Sequence, residues 1–270
     1  MAPITTENDR KLIAAYIEAA ERLRKIVDAS KGVRREVLIA RMQPILKQLV
    51  ELSNEFMRTD LPEHYKRGSK QAITQLRKLG KSKLDEAFSA KHTEAINFLI
   101  REGQDSLGKA IKAVQDNITQ AMTIAQRQAL VNEVISGAIT GIDAKKAAVE
   151  LLKEQNITGI RVGNRVISIE QYAYTVVNTL TADAHNTAAV IRYAENGVQY
   201  FRRIERDSAP DRPCSWSRNK IFSLALSRFH TALHPNCRGS HEPILTVPSG
   251  VEVITSYEQV PADVRKDMRI

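Results

Sequence analysis

The sequence predicts an α+β protein. It reads as an elongated, mostly α-helical region over residues 1–157, a small α+β domain over 158–245 with a hairpin or short antiparallel sheet, and an extended tail over 246–270. Three observations predict it. Apolar residues recur at steps of three and four through the first half, the spacing that lays one stripe along one helix face. At "NITGIRVGNRVISIEQY" the pattern shortens to β-branched pairs on either side of Gly163-Asn164, two residues that tolerate positive φ and so suit a hairpin turn. The chain has 270 residues, 43% of them apolar, enough to bury a core without staples, and no run reaches the roughly 20 uncharged apolar residues of a membrane helix.

The elements follow in order. A Thr5 or Thr6 cap opens a helix whose stripe is Leu12, Tyr16, Ala19, Leu23 and Ile26, with Gly32 as its breaker. A second stripe runs through Leu38, Met42, Ile45, Leu49, Leu52 and Phe56; Pro44 is expected to kink or restart this helix, and "TDLP" to end it. A short basic helix follows over Lys70 to Leu79. From Asp85 to Ile139 there is no proline, so one long helix is expected, or two parted near Gly103 or Gly108, and a further helix over 143–155. After the hairpin, Ser168 and Gln171 form a capping-box pattern that opens a helix closed by Gly197. "VQYFRRIER" reads as a strand, "DSAPDRPCSWSRN" as a loop and "KIFSLAL" as a short apolar strand. The tail, with Pro248 and Pro261, reads as extended chain. No period of 20 to 50 residues recurs, which excludes a solenoid.

The net charge is +9, and most of the excess falls before residue 162. Its densest run, "KRGSKQAITQLRKLGKSK", holds Lys66, Arg67, Lys70, Arg77, Lys78, Lys81 and Lys83 and no acid. Such a run attracts phosphate, so these seven are candidate contacts to nucleic acid; it equally suits a solvated helix face, since no aromatic side chains are interleaved to stack on bases. Long, basic, aromatic-poor helices suit a spacer or docking surface better than a catalytic chamber. The opening residues carry acids and no apolar signal core, so the chain is expected to be made as an intracellular protein.

The chemistry concentrates in "FHTALHPNCRGSHEPI", where His230, His234, Cys237 and His241 fall within a dozen residues. Two cysteines are too few for a disulfide scaffold. Zinc takes four thiolate or imidazole ligands, and His234 and Cys237 have the close spacing of a clamp; Cys214 is a third candidate, and His230 or His241 a fourth. Against this stands a plainer reading, two small buried cysteines and histidines bonded to loop backbone. Enzyme readings fare worse. A zinc deaminase needs His-x-Glu and Pro-Cys-x-x-Cys, but "HTE" and "PCSWS" are over a hundred residues apart and Ser217 holds the last ligand position. A Cys-His nucleophile lacks an oxyanion-hole pattern around either cysteine. The expected protein is therefore not an enzyme. His64, His92 and His185 are expected to be surface or packing residues, and Trp216 a cover over the small domain's core.

The order of these signals, from Arg165 to Ile244, resembles tailed-bacteriophage minor capsid proteins of the Mu F-like head morphogenesis type. The resemblance rests on Asn178-Thr179 and Asn186 in the helix, then Gly197, Asp207 or Asp211 with Cys214, Lys220-Ile221-Phe222, and the His234, Pro235, Cys237, Arg238 run. The chain departs from the pattern at Asn178 and Leu180, at Ser217 and at the glycine after Arg238; His241 is a candidate replacement ligand. The resemblance implies a structural component of the virion, inside the head near the portal vertex and assembled in the bacterial host. Its partners would be the portal protein or capsid, as an oligomer around the portal ring, and packaged double-stranded DNA without sequence preference. Its role would lie in head assembly, packaging or DNA delivery, with no membrane partner and no cofactor beyond zinc. The alternative is a free nucleic-acid-binding module with a zinc-type Cys/His site.

Overall fold

The computed structural model describes residues 6–29, 35–136, 158–162, 165–205 and 212–268. Their elements are helices α1 (Glu7–Asp28), α2 (Arg35–Lys78) and α3 (Ala90–Ser136), strands β1 (Gly159–Val162) and β2 (Arg165–Ser168), helix α4 (Ile169–Glu195), strand β3 (Tyr200–Ile204), helix α5 (Arg212–Ser217), strands β4 (Ile221–Ser223), β5 (Ser240–Ile244) and β6 (Val253–Ile254), and helix α6 (Ala262–Asp267). The class is α+β, helices first and a small mixed sheet after them.

Helix α1 starts where Thr6 and Asp9 cap one another. The Asp9 N–H donates to Thr6 Oγ1 at 3.1 Å while the Thr6 N–H donates to the Asp9 carboxylate, which satisfies two of the first turn's orphan donors. Its stripe of Leu12, Tyr16, Ala19 and Leu23 is buried as the spacing predicts.

Helix α2 corrects two expectations: it runs through "TDLP" without ending and takes in the separate basic helix expected over residues 70–79. Of the kink or restart expected at Pro44, there is no restart. Proline in a helix interior loses a hydrogen bond and costs about 3 kcal/mol. Here the turns on both sides are anchored by Met42, Ile45 and Leu46, and by Met57, Leu61 and Tyr65, all buried, and each such side chain returns roughly 1.5–3 kcal/mol. Helix α3 is likewise one rod across Gly103 and Gly108. A Cβ on Gly103 would stand 2.3 Å from Met57 Sδ, so that glycine serves close packing and not a break.

The described residues form two compact units, neither of them continuous in sequence. One comprises Met1–Asp9, Phe56–Gly103 and Thr175–Ile270, the other Arg10–Glu55 and Gln104–Tyr174. Helices α2, α3 and α4 each contribute to both, which is why the units do not follow a cut near residue 157.

In the second unit the β1–β2 hairpin pairs Val162 with Arg165, leaving a two-residue connection as predicted; that turn itself, like the helix expected over 143–155, lies outside the described residues. Asn117 Nδ2 donates to the Gly159 carbonyl at 2.6 Å, and Arg24 donates to Glu170 and to Thr158 Oγ1, tying the hairpin to the helices. Ser53 Oγ donates to the Leu49 carbonyl, so the Tyr16 hydroxyl at 2.8 Å is the donor to Ser53.

The first unit holds a four-stranded sheet in the order β5-β3-β4-β6. β3 runs antiparallel to both neighbours, and β6 joins β4 in parallel. The tail is thus not extended throughout: Ile254, Val260, Val264 and Met268 are four apolar anchors that bury against Phe201, Phe222, Phe229 and both cysteines. Nor is the segment ahead of β4 wholly loop, since α5 carries Cys214. Gly197, at φ +70°, turns the chain out of α4 as predicted.

Candidate metal centre

Helix α4 positions the centre through a polar stripe on a largely buried face. Thr175, Thr179, Asp183 and Asn186 follow at steps of four, four and three, and each holds the 232–239 segment. Asn236 Nδ2 donates to Thr175 Oγ1 (3.2 Å), the Asn236 N–H to Thr179 Oγ1 (3.1 Å), the Ala232 N–H to Asp183 Oδ1 (2.6 Å), and Asn186 Nδ2 to the Gly239 carbonyl (2.8 Å). The turn these contacts fix has Asn236 at φ +63° and the Cys237 N–H bonded back to the His234 carbonyl. It delivers His234 and Cys237 to Cys214, which α5 holds in the core.

The three side chains meet. Cys214 Sγ lies 2.9 Å from His234 Nε2 and 3.4 Å from Cys237 Sγ. Their ligand atoms all fall within 4.8 Å of one another, so among the described residues Cys214, His234 and Cys237 form a group able to hold a metal ion. His234 Nδ1 is 2.8 Å from the Pro235 carbonyl. A carbonyl only accepts, so Nδ1 carries the proton and the Nε2 lone pair faces the sulfurs, the tautomer a metal-binding imidazole uses. The hydrogen bond from the Cys214 thiol, with the Arg203 guanidinium and the Gly239 and Leu233 N–H groups, pulls the Cys237 thiol down toward thiolate against the cost of burial. The same bond, kept only while Cys214 is protonated, pushes the Cys214 thiol up, and burial adds to it.

Around the sulfurs lies a charged frame. Arg203, on β3, is 0% exposed. Its Nη1 donates to the carbonyls of Phe229 (3.0 Å) and Thr231 (3.1 Å), its Nη2 to Cys237 Sγ (3.4 Å), and Nε and Nη2 together to Glu205 Oε1 (2.9 and 2.6 Å). Burial nonetheless raises the Glu205 carboxyl, outweighing the downward pull of Arg203. A Cβ on residue 239 would stand 2.2 Å from Glu205 Oε1, so Gly239 is the space that carboxylate occupies.

Neither histidine considered for the fourth position joins the group. His241, on β5, packs against the Phe201 ring at 4.7 Å between centroids and turns Nε2 to Arg203 Nη1 at 3.4 Å; burial, then the Arg203 charge, holds it well below its ordinary value. Strand pairing sets this, since Arg203 and His241 are direct partners. His230 donates Nε2–H to the Leu224 carbonyl at 2.8 Å. Ser217, in the position of an absent cysteine, is buried and bonds the Cys214 carbonyl. Pro235 is exposed at the turn and Arg238 is half-buried beside it, while Ile221 and Phe222 of β4 are core. Asp207 and Asp211 lie outside the described residues. Trp216 is half-buried over Phe222 and Phe229, as a cover should be.

The basic run is spread along one side of α2 and the loop after it. Lys66, Arg67, Lys70, Arg77 and Lys78 are exposed on the helix, and Lys83 in the loop. Acid does face it: Lys66 pairs with Glu63 and Arg77 with Glu86, while half-buried Lys81 donates to the Asn196 carbonyl. The run itself holds no acid, but both of these flank it in sequence, and helix geometry and the loop return bring them back to it. His64, His92 and His185 are packing residues: His64 donates to Asp9 (2.9 Å), His92 sits between the Tyr65 hydroxyl (2.8 Å) and Glu195 (3.0 Å), and His185 meets Gln71 (3.0 Å).

Sequence reasoning missed Arg192, Arg203 and Glu205. For Arg203 a signal existed, since strand alternation puts it on the same inward face as Phe201. The chain matches no family model, no curated protein and no solved structure.

Proposed function

We propose that this chain is a structural minor head protein of a tailed phage, bound at the portal vertex, whose first unit is a compact knob organised around Cys214, His234 and Cys237 and whose basic helix lies against packaged DNA. One observation carries the reading. The residues on which the phage resemblance rests, Asn186, Cys214, His234 and Cys237, converge on one turn, its cysteine buried, that ties helix, sheet and tail together. Sulfurs sealed in a core, 2% exposed each, suit holding a fold and not turning over a substrate. Two sulfurs and an imidazole within one small space suit zinc, which prefers that donor set.

The second reading, a free nucleic-acid-binding module, is favoured by the exposed cations of α2. Quantitative mass spectrometry of purified proheads and filled heads separates the two. A few copies per particle, retained through high-salt washing, are expected. Absence from both particles overturns the head-protein reading, and micromolar duplex binding at physiological salt, falling steeply as salt rises, would then favour the free module.

A further inference from the structure

The β1–β2 hairpin is packed at one end of its ladder and open at the other. Thr158 and Ile160 are buried, at 1% and 7% exposed, and Asn117 and Arg24 hold this end to the helices. The last two pairs of the ladder, Arg161 with Val166 and Val162 with Arg165, are exposed, Val166 at 54% and Val162 at 46%. Paired residues share a face and successive residues alternate between faces, so each face of the ribbon carries one arginine and one valine. Among the described residues neither arginine has a hydrogen-bond or ion-pair partner, and Glu170, the acid nearest in sequence, is taken by Arg24 at 2.8 Å.

Resting on the duplex-DNA reading above, we infer that this hairpin is a prong that enters the major groove of double-stranded DNA, Arg161 and Arg165 reaching the phosphates on its two sides. Two features choose this partner. Cations on opposite faces match a partner with negative charge on both sides, which a duplex groove has and a one-sided acidic surface lacks. A two-stranded ribbon fits the roughly 12 Å major groove, where base edges and thymine methyl groups offer apolar contact to Val162 and Val166. Arginine contacts to phosphate carry no sequence information, so the prong holds duplex without choosing a site. The α2 cations lie along one helix side and suit resting on a backbone, whereas the hairpin suits insertion.

The test titrates the full chain with a short mixed-sequence duplex across a salt series, beside one of its strands alone. Arg161→Ala with Arg165→Ala is expected to lower the slope of log affinity against log salt by about two, and each single change by about one, which carries the test if the pair does not melt cooperatively. Val162→Ser with Val166→Ser is expected to weaken binding severalfold at an unchanged slope. Methyl green, a major-groove ligand, is expected to displace wild type where netropsin, a minor-groove ligand, does not. All four positions are exposed, so melting temperatures near that of wild type are expected of the variants. An unchanged slope in the arginine variants or unchanged affinity in the valine variant overturns the inference, as do equal affinity for the single strand and displacement by netropsin alone. Loss of the variants from proheads with duplex binding intact also overturns it, and assigns the prong to an acidic cleft of a head protein. If only Lys66→Ala with Lys70→Ala lowers the slope, the hairpin inference falls and the DNA contact of α2 stands; no duplex binding by wild type at low salt overturns both.

Discussion

At the residue scale the Cys214, His234 and Cys237 cluster was legible, because clamp spacing and the scarcity of cysteine single it out in one dimension. Its charged frame was not. An arginine in "YFRRIER" reads as the solvent face of a strand unless alternation is trusted over polarity, and burial patterns such as that of β3 make that visible only in three dimensions. Removing one partner of a buried pair leaves the other uncompensated, so Arg203→Met is expected to destabilise by about 3–5 kcal/mol in urea melts, and Arg203→Met with Glu205→Gln by less. The histidines set a pH dependence. Burial lowers His92, His185, His230 and His241 below their ordinary value of 6.5. The unfolded chain therefore binds more protons than the folded one as pH falls below about 6.5. The histidine contribution to stability is expected to be full above that value and to fall through the region beneath it. Melting temperatures between pH 8 and 5 that stay level would contradict this, and His92→Gln should shallow the slope.

At the element scale, periodicity predicted the helical faces well and the punctuation poorly. "TDLP" reads as a break, Pro44 as a kink or restart, and Gly103 or Gly108 as the parting point in one of two alternatives, since propensity is local, whereas what keeps α2 and α3 continuous is side-chain burial contributed by distant segments. Gly68 is a sharper case: a Cβ there would stand 2.1 Å from the His185 carbonyl oxygen, so it marks where α2 and α4 approach. Two opposite outcomes are expected. Pro44→Ala, at an exposed position, restores an amide to the ladder and should raise the melting temperature, by up to about 3 kcal/mol of stability. Gly68→Ala should lower it by several degrees or prevent folding, and calorimetry of the two variants beside wild type checks both signs.

At the scale of the whole molecule, the class and the order of helices before sheet were legible, and the partition into units was not. Composition changes near residue 157, but Ala72 and Leu76 of α2 pack in the same core as Tyr193, Phe222 and Cys214, a pairing across more than a hundred residues that no window of sequence contains. Residues 158–270 expressed alone are accordingly expected to lack a cooperative melt, since Tyr193 loses its bond to Gln75 and Arg192 its bonds to Ser69 and to the carbonyls of residues 85–87. A sharp two-state transition from that fragment would show that the early helices are dispensable to the knob. The position of β6 bears on biosynthesis. Because Ile254, Val260, Val264 and Met268 seal the core that contains both sulfurs, the centre stays unsealed until residue 268 has cleared the ribosome. Until then its thiols face solvent, so the centre's exposure to oxidants and to competing ions is concentrated in the interval before the tail packs.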